Sequence, residues 1–180
     1  IIIGAGPSGS VAGAMLVKQG YSVLILEKQH FPRFSIGESL LPQCMAFLEQ
    51  AELEHVLTEH AEQVNFQFKN GAAFHKKGKS SSFNFTEKFT NGPGTTFQVK
   101  RDAFDKLLAD ETQSKGVEIR YGRQVEKVVQ LKPQVVLAVS SENEIDKDYQ
   151  VTGKFLLDAS GFGRVLPRLL NLDLPSDFPV

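Results

Sequence analysis

The sequence has one cysteine, Cys44, and no long apolar stretch. Because one cysteine cannot form an internal disulfide, the core and any cofactor must stabilise the fold, as is typical of proteins in a reducing compartment. Apolar runs such as Val23 to Leu26 are far shorter than the roughly 20 residues that cross a bilayer, and no basic segment precedes Ile1. We therefore predict a cytoplasmic protein with neither a membrane span nor a readable export signal.

Neither sign of charge is in excess, since 20 Lys and Arg residues stand against 21 Asp and Glu residues. The formal net charge of -1 gives no global field to attract nucleic acid, and the basic cluster at 76–79 is typical of a solvated loop. A hydrophobic content of 41% with 23% charged residues excludes a disordered, collagenous or coiled-coil chain. We predict a globular chain that does not bind nucleic acid.

Common hydrolytic and metal-binding patterns are also missing. No GxSxG motif is present, so nothing supports Ser-His-Asp hydrolysis. His55 and His60 are five residues apart, off a common helical face, and no Cys or third His joins them with zinc spacing. Cys44 lies on the apolar stripe of a predicted helix, which favours a small core residue over a nucleophile. We predict no metal site.

The first 27 residues predict a strand, a tight turn, a helix and a second strand, which together form a βαβ unit. The turn, Gly4-Ala5-Gly6-Pro7-Ser8-Gly9, is a GxGxxG motif, and Glu27 ends the second strand 18 residues later. Gly4 permits the tight turn, Gly6 lets a pyrophosphate approach the backbone, and Gly9 permits close packing of helix on strand. The motif predicts a bound dinucleotide.

Two neighbours of this turn complete the predicted dinucleotide site. The helix N-terminus, with Pro7 and Ser8, presents N–H groups to the phosphates. Glu27, followed by Lys28, is placed to accept hydrogen bonds from ribose hydroxyls, and its charge disfavours the 2′-phosphate of NADP. The motif does not distinguish FAD from NAD, because both contain the adenosine-pyrophosphate half.

The rest of the chain alternates between helical and strand patterns. Apolar spacings of three and four predict one or two helices between Ser39 and His60, and another over residues 101–115, which Asp102 can cap. Period-two alternation between 64 and 97 predicts short strands with Phe66, Phe68, Phe83 and Phe85 on one face. Further strands are predicted at 117–121 and 154–158, with an antiparallel meander of strands at 124–131, 135–139 and 145–151 between them.

These patterns predict an α/β fold in which one domain is interrupted by part of another. Residues 1–62 begin the cofactor-binding domain, residues 63–97 belong to a β-rich substrate subdomain, and residues 98–180 continue the first domain. The phenylalanines of the middle segment fit a sheet core and also an aromatic substrate wall. Only three residues precede Gly4, fewer than in a usual strand, so we expect a fragment of a longer chain.

Four segments resemble the p-hydroxybenzoate hydroxylase-like FAD superfamily, and within it most closely the flavin-dependent halogenases and related flavoproteins. They are the Gly4 to Gly9 turn with Glu27, the run from Phe31 to Pro42, the segment from Val99 to Asp105, and Asp158 to Gly161. The resemblance implies FAD as the cofactor. It also implies a Rossmann-like, three-layer FAD-binding fold with a mostly parallel sheet, a small antiparallel meander and part of a substrate subdomain.

The resemblance extends the set of cofactor contacts to Arg33, Gly37, Glu38, Ser39, Arg101, Asp158 and Gly161. In the family the arginines matching Arg33 and Arg101 contact FAD, and a guanidinium suits a phosphate or a flavin carbonyl. Gly37 lets the chain pass close to the flavin, and the two residues after it resemble the loop on the isoalloxazine side. Asp158 begins an acidic-glycine motif beside the flavin, although an ordinary strand-ending turn also fits.

The string from Phe66 to Phe74 resembles the segment of phenol- and pyrrole-type flavin halogenases that bears their catalytic lysine, here Lys69. In those enzymes reduced FAD and oxygen convert halide to hypohalous acid, and the lysine holds or carries the halogen to an aromatic substrate. By strand alternation Lys69 points away from the Phe66 and Phe68 face, so it lines a tunnel only if that side is covered. A solvated strand-end lysine is the alternative.

The resemblance implies that the whole protein uses reduced FAD and oxygen to halogenate or hydroxylate an aromatic or unsaturated small molecule, with a separate flavin reductase as one source of electrons. The alternatives are a geranylgeranyl-reductase-like flavoenzyme that saturates C=C bonds, an NAD-binding dehydrogenase module without flavin, and a non-catalytic dinucleotide sensor. The halogenases' tryptophan-isoleucine-proline signature and the second Gly-Asp motif are expected outside the 180 residues, so the sequence leaves the reaction open.

Overall fold

The computed structural model describes residues 1–142 and 148–174. The helices are α1 Pro7–Lys18, α2 Pro42–Gln50, α3 Glu54–His60, α4 Arg101–Ser114 and α5 Val165–Leu169, with a 3-10 turn at Gly161–Gly163. The strands are β1 Ile2–Ile3, β2 Leu24–Leu26, β3 Gln67–Lys69, β4 Gly71–Lys76, β5 Lys79–Asn84, β6 Thr96–Gln98, β7 Glu118–Arg120, β8 Arg123–Gln130, β9 Val135–Ser141, β10 Tyr149–Gly153 and β11 Leu157–Asp158.

A parallel sheet in the order β11-β1-β2-β7 forms the centre of the fold. Ile2 pairs with Ile25, and both are buried against α1 and α4 in one apolar cluster. The next residues, Ile3 and Leu26, are buried on the opposite face. Because successive side chains alternate between the faces of a strand, a continuous apolar run is what a sheet covered on both sides requires.

The second face of this sheet is covered by the antiparallel meander β8-β9-β10. Leu137 and Val139 of β9 are buried in the same cluster as Ile3 and Leu26. The predicted three-layer fold, with its parallel sheet and meander, is therefore confirmed. The strand predicted at 145–151 is found from Tyr149 onward, and its first residues, 145–147, lie outside the described part of the chain.

A separate core lies where α2 and α3 pack against α1 and α4. Its buried members include Leu48, Leu53, Leu57, Phe104 and Leu108, which recur at helical spacing. The helical pattern predicted between Ser39 and His60 gives two helices, and the break includes Glu52 at φ 57°. Among the described residues, no helix is long and apolar enough to cross a membrane.

Residues 63–97 contribute two small antiparallel pairs, β3 with β6 and the hairpin β4-β5. The predicted shared apolar face is only partly a core: Phe66 and Phe85 are buried, whereas Phe68 and Phe83 are 66% and 54% exposed. The reason is local, since Phe66 precedes β3 and packs edge-on against Phe104 of the helical core. The division of the chain into domains at 62 and 97 stays a prediction.

The prediction that Asp102 caps the helix at 101–115, now α4, is wrong. Asp102 lies inside the first turn of α4, and Lys100 occupies the cap position without a side-chain hydrogen bond. The Asp102 carboxylate instead accepts the N–H of Ala103 at 2.7 Å. An acidic side chain in the first turn still stabilises the helix through its dipole.

Candidate cofactor site

Two glycines of the first turn are required by the packing of the chain itself. Gly4 has φ +96°, and a Cβ there would lie 2.8 Å from the carbonyl oxygen of Ala159. A Cβ on Gly9 would lie 1.9 Å from the carbonyl oxygen of Gly4. Both positions therefore exclude a side chain whether or not a ligand is bound.

Gly6 differs, because nothing in the folded chain demands a glycine there. Its φ is −67°, and the nearest atom to an added Cβ would be Nη2 of Arg33 at 3.5 Å, an ordinary contact. Gly6 stands immediately before the first turn of α1, whose leading N–H groups have no intrahelical partner. The missing side chain thus leaves room for an anionic group at the helix N-terminus, as a pyrophosphate requires.

Glu27 follows β2 and is buried beside the same turn. Its Oε2 accepts the N–H of Ala5 at 2.8 Å, and its Oε1 accepts the N–H of Gln29 at 2.9 Å. A carboxylate can accept about four hydrogen bonds, so acceptor positions remain for ribose hydroxyls. The two backbone bonds also fix the carboxylate against the glycine turn.

A cleft of about 620 Å³ opens at the carboxyl ends of β1 and β2, where ligands of open α/β sheets bind. It is lined by these predicted site residues: Gly4, Gly6, Pro7, Ser8, Glu27, Lys28, Arg33, Arg101 and Gly161. Sequence reasoning missed other lining residues, including Phe34, Ile36, Arg123, Gln124, Phe162 and Arg168. They come from the loop after β2, from β8 and from the region after β11, which only the tertiary fold brings together.

The two predicted arginines meet at a buried carboxylate that sequence reasoning did not single out. Asp105 is fully buried, and its oxygens lie 2.7 and 3.1 Å from Nε and Nη2 of Arg101. Nη1 of Arg33 lies 3.2 Å from Asp105, and its Nη2 lies 3.9 Å from Glu27. The four-residue spacing from Arg101 to Asp105 on a predicted helix was a usable signal for this pair.

The segment that contains Gly37, Glu38 and Ser39 lies beside the cleft but does not contribute these residues to its lining. Gly37 has φ +101° and faces Arg101, whose Nη1 would be 3.1 Å from an added Cβ. The carbonyl of Glu38 accepts the N–H of Val99 at 2.8 Å, and Ser39 forms a β-bridge with Gln98. The segment is thereby attached to β6 and to the start of α4.

Asp158 and Gly161 have different places. The exposed Asp158 carboxylate accepts the N–H groups of Ser160 at 2.9 Å and Leu166 at 2.8 Å, so it organises the turn that leads to α5. Gly161, at φ +56°, lines the cleft. Asp158 therefore shapes one wall of the cleft through the backbone, as an Asx-type turn does.

Lys69 lies outside the lining of the cleft, at the end of β3. Its Nζ donates to Ser39 Oγ at 2.6 Å and to the carbonyl oxygen of Leu40 at 2.9 Å. The ammonium also lies 5.3 Å from the centre of the Phe85 ring. The structure thus connects Lys69 to the segment that Arg101 holds at the cleft.

Cys44 and the histidine His60 have surroundings that do not favour a nucleophile or a metal ligand. Burial raises the pKa of the half-buried Cys44 thiol, with a smaller opposing effect from Arg101, which favours an unreactive thiol. His60 Nδ1 is 3.0 Å from the carbonyl oxygen of Val56 on its own helix. No group of three or more His, Cys, Asp or Glu side chains is placed to hold a metal within residues 1–142 and 148–174.

Comparison with known proteins decides which dinucleotide the cleft takes. Residues 1–176 match the family model described as FAD binding domain. The chain belongs to this family of FAD-binding domains. FAD is therefore the cofactor, and the alternative of an NAD-binding module without flavin is not favoured.

Similar proteins include several halogenases. Flavin-dependent halogenase armH3 of Armillaria mellea is 38% identical over 89% of this chain and 32% of its own length. Tryptophan 2-halogenase of Chondromyces crocatus is 30% identical over 89% of this chain and 30% of its own. The chain thus spans about a third of the length of these curated relatives.

Solved structures agree on the fold. A flavoprotein/dehydrogenase from Cytophaga hutchinsonii has a TM-score of 0.88 and 42% identity over 99% of this chain and 43% of its own. The flavin-dependent halogenase CmlS has a TM-score of 0.80 and 36% identity over 94% of this chain and 30% of its own. The predicted resemblance to halogenases and related flavoproteins is confirmed.

The residues of the cleft fit FAD on grounds of their own. The open position at Gly6 and the helix N-terminus suit the pyrophosphate, and the free acceptor positions of Glu27 suit a ribose. Beside them, the Nε of Arg33 is buried without a hydrogen-bond partner among the described residues. A buried donor at the wall of a cleft is costly unless something accepts from it.

Proposed function

We propose that the full-length protein uses reduced FAD and oxygen to halogenate an aromatic or other unsaturated small molecule. The observation that carries the proposal is the position of Lys69, whose ammonium is hydrogen-bonded to Ser39 and Leu40. Those residues continue the segment whose Ile36 and Gly37 carbonyls accept from Arg101 at the cleft. A lysine held one short segment away from the cofactor suits transfer of a reactive halogen species from flavin to substrate.

The side chains of this chain have distinct proposed tasks. Bound FAD supplies the redox chemistry. Gly6, the α1 N-terminus and Glu27 hold its adenosine-pyrophosphate half, and Arg33 and Arg101 form the adjoining wall. Lys69 uses two of its three N–H groups on protein acceptors, which leaves one donor for the oxygen of hypohalous acid. We assign Lys69 as the catalytic residue on this basis.

We propose that residues 63–97 cover the bound substrate. In this segment the exposed ring of Phe68 lies on the strand that carries Lys69, and the exposed rings of Phe74 and Phe83 lie on the following hairpin, β4-β5. Aromatic rings favour stacked and edge-on contacts, which suits an aromatic substrate. We further propose a cytoplasmic location, consistent with the single cysteine, and delivery of reduced flavin by a separate reductase.

The test uses full-length protein with photoreduced FAD, oxygen, bromide and a phenolic trap, so that no reductase is needed. Brominated phenol with the bromine isotope pattern in the mass spectrum is the expected product. Omission of bromide and heat-denatured protein are the controls. Oxygen consumption without bromination would overturn halogenation in favour of another flavoprotein oxidoreductase, the broader description that the flavoprotein/dehydrogenase from Cytophaga hutchinsonii carries.

A further inference from the structure

The carboxylate of Asp105 is a buried charge at the junction of three segments. It lies on α4 with an exposed fraction of 0% and contacts Arg101 through both of its oxygens, at 2.7 and 3.1 Å. Arg33, which follows β2, adds a contact at 3.2 Å. A buried carboxylate is costly unless it is paired, and here two guanidinium groups pair with it.

The opposite edge of the same Arg101 guanidinium faces the backbone beside the cleft. Its Nη1 donates to the carbonyl oxygen of Ile36 at 2.6 Å, with that of Gly37 at 3.4 Å. Gly37 has φ +101°, and an added Cβ would lie 3.1 Å from this nitrogen. Because a guanidinium is planar, a bidentate contact on one edge fixes the direction of the donors on the other.

We propose that Asp105 is a positioning residue for FAD binding, which acts by holding Arg101 against the Ile36–Gly37 backbone at the wall of the cleft. Both Arg101 and Ile36 line the cleft, whereas Asp105 does not. In Asp105→Asn, Arg101 keeps its charge, but the amide oxygen can accept only one of the two N–H groups, so the bidentate contact that fixes the plane of the guanidinium is lost. The Arg101 guanidinium and the Ile36–Gly37 backbone then no longer have a fixed position at the wall of the cleft. FAD therefore binds more weakly, although every residue that lines the cleft is present.

The test is a double-mutant cycle in the full-length protein with Asp105→Asn, Arg101→Gln and the two together. The asparagine keeps the size of the side chain and removes its charge. Dissociation constants for FAD come from titrations of flavin fluorescence, and the unfolding free energy of each apoprotein from urea titrations. Asp110→Asn is the matched control, because Lys106 and Asp110 form an exposed pair with the same four-residue spacing on α4.

We expect each single variant to raise the Kd for FAD at least tenfold, and the double variant to lie within threefold of Arg101→Gln. Asp110→Asn should leave the Kd within twofold of wild type. A Kd within twofold of wild type for folded Asp105→Asn would overturn the proposal, as would a double variant that multiplies the two single effects. If Asp105→Asn alone does not fold, the comparison of Arg101→Gln with the charge-balanced double variant decides by the same threefold limit.

A second readout separates positioning from general destabilisation. The visible absorption bands of bound flavin respond to the local environment of the ring and not to the stability of the protein. We expect shifted or less resolved bands for Asp105→Asn saturated with FAD, and wild-type bands for Asp110→Asn. Wild-type bands together with an unchanged Kd in Asp105→Asn would leave Asp105 as a structural residue only.

Discussion

The ammonium of Lys69 donates to Ser39 Oγ at 2.6 Å, which connects β3 to the segment beside the FAD cleft. Arg101 holds the other end of that segment through the carbonyl of Ile36. Two cations from distant parts of the chain therefore hold a five-residue backbone segment, residues 36–40, between the cofactor cleft and the proposed halogen-transfer site. This arrangement gives a cationic side chain outside the cleft a fixed position relative to it.

Replacement of Lys69 by alanine in the full-length protein should abolish halogen transfer while FAD binding survives. Loss of a catalytic proton donor typically costs about 10²- to 10⁴-fold in rate, and we expect a loss in that range. The Kd for FAD should stay within about threefold of wild type, because the Lys69 ammonium bonds to Ser39 and Leu40, which do not line the cleft. Arg101 still holds the Ile36 end of the segment in this variant. Halogenated product is quantified by mass spectrometry and FAD binding by fluorescence titration.

The control for this variant is Lys79→Ala, which removes an exposed lysine from the neighbouring hairpin. It should keep the wild-type rate of halogenation. Persistence of halogenated product at the wild-type rate in Lys69→Ala would show that the lysine has no catalytic role.

Local patterns predicted the part of the site that local geometry builds. The strand, turn and helix around Gly4, Gly6 and Gly9 are contiguous, so residue type and spacing suffice to predict them. The strand predicted before this turn is β1, and it buries Ile2 and Ile3 on opposite faces of the sheet. These features required no knowledge of the tertiary fold.

The shared role of Asp105 was not predicted, because it depends on contacts between distant segments. Arg33 is 72 residues from Asp105 in sequence, and nothing local indicates that they meet. The hydrogen bond from Lys69 to Ser39 joins residues that are 30 apart in sequence, and no local pattern indicates that contact either. Strand alternation gave the direction of Lys69 relative to its own strand but could not supply the partner on the other side.

Gly6→Ala and Gly9→Ala should separate the loss of the cofactor from the loss of the fold. An added Cβ at Gly6 meets only ordinary contacts, so the apoprotein should remain stable while the pyrophosphate is excluded. We expect the Kd for FAD to rise at least tenfold and the apoprotein unfolding free energy to change by less than about 1 kcal/mol.

Gly9→Ala is the contrasting variant. Its Cβ would lie 1.9 Å from the carbonyl oxygen of Gly4, so the helix must move away from the turn. We expect the unfolding free energy of the apoprotein to fall by about 1–3 kcal/mol or more, as it does when a side chain is added at a closely packed position. Equal FAD affinity of Gly6→Ala and wild type would contradict the assignment of Gly6 to the pyrophosphate.

Replacement of Asp158 by alanine should weaken FAD binding indirectly. The variant removes two hydrogen bonds from the backbone N–H groups of Ser160 and Leu166 to a carboxylate. Because the side chain is exposed and water can replace part of each bond, we expect a loss of about 1–2 kcal/mol in stability. The Kd for FAD should rise, since Gly161 in the same turn lines the cleft.

Asp158→Asn is the informative companion, because an amide oxygen can still accept one of the two N–H groups. Its unfolding free energy should fall between those of wild type and alanine. A variant with alanine that binds FAD as tightly as wild type would exclude Asp158 from shaping the cleft.

Tyr121 should make the stability of the protein depend on alkaline pH. Burial raises the pKa of its phenol to about 12, with smaller effects from the negative charges of Asp110 and Glu27. Its ring packs edge-on against Phe31 at 5.7 Å, in the loop that leads to Arg33. Between the ordinary tyrosine pKa near 10 and this raised value, the folded state keeps a proton that the unfolded state has lost, so stability falls as pH rises.

Urea unfolding of wild type and Tyr121→Phe at pH 8, 9, 10 and 11 measures this effect. The phenylalanine variant has no phenol to ionise, so wild type should lose about 1 kcal/mol relative to it by pH 11, after allowance for the partial exposure of the ring. Below pH 9 the difference in unfolding free energy between the two proteins should be constant, because Tyr121 is protonated there in both the folded and the unfolded state. Tyr21→Phe, which removes a phenol that is 61% exposed, is the matched control. Parallel curves for wild type and Tyr121→Phe up to pH 11 would show that the packing around Phe31 and Tyr121 does not hold the phenol in its neutral form.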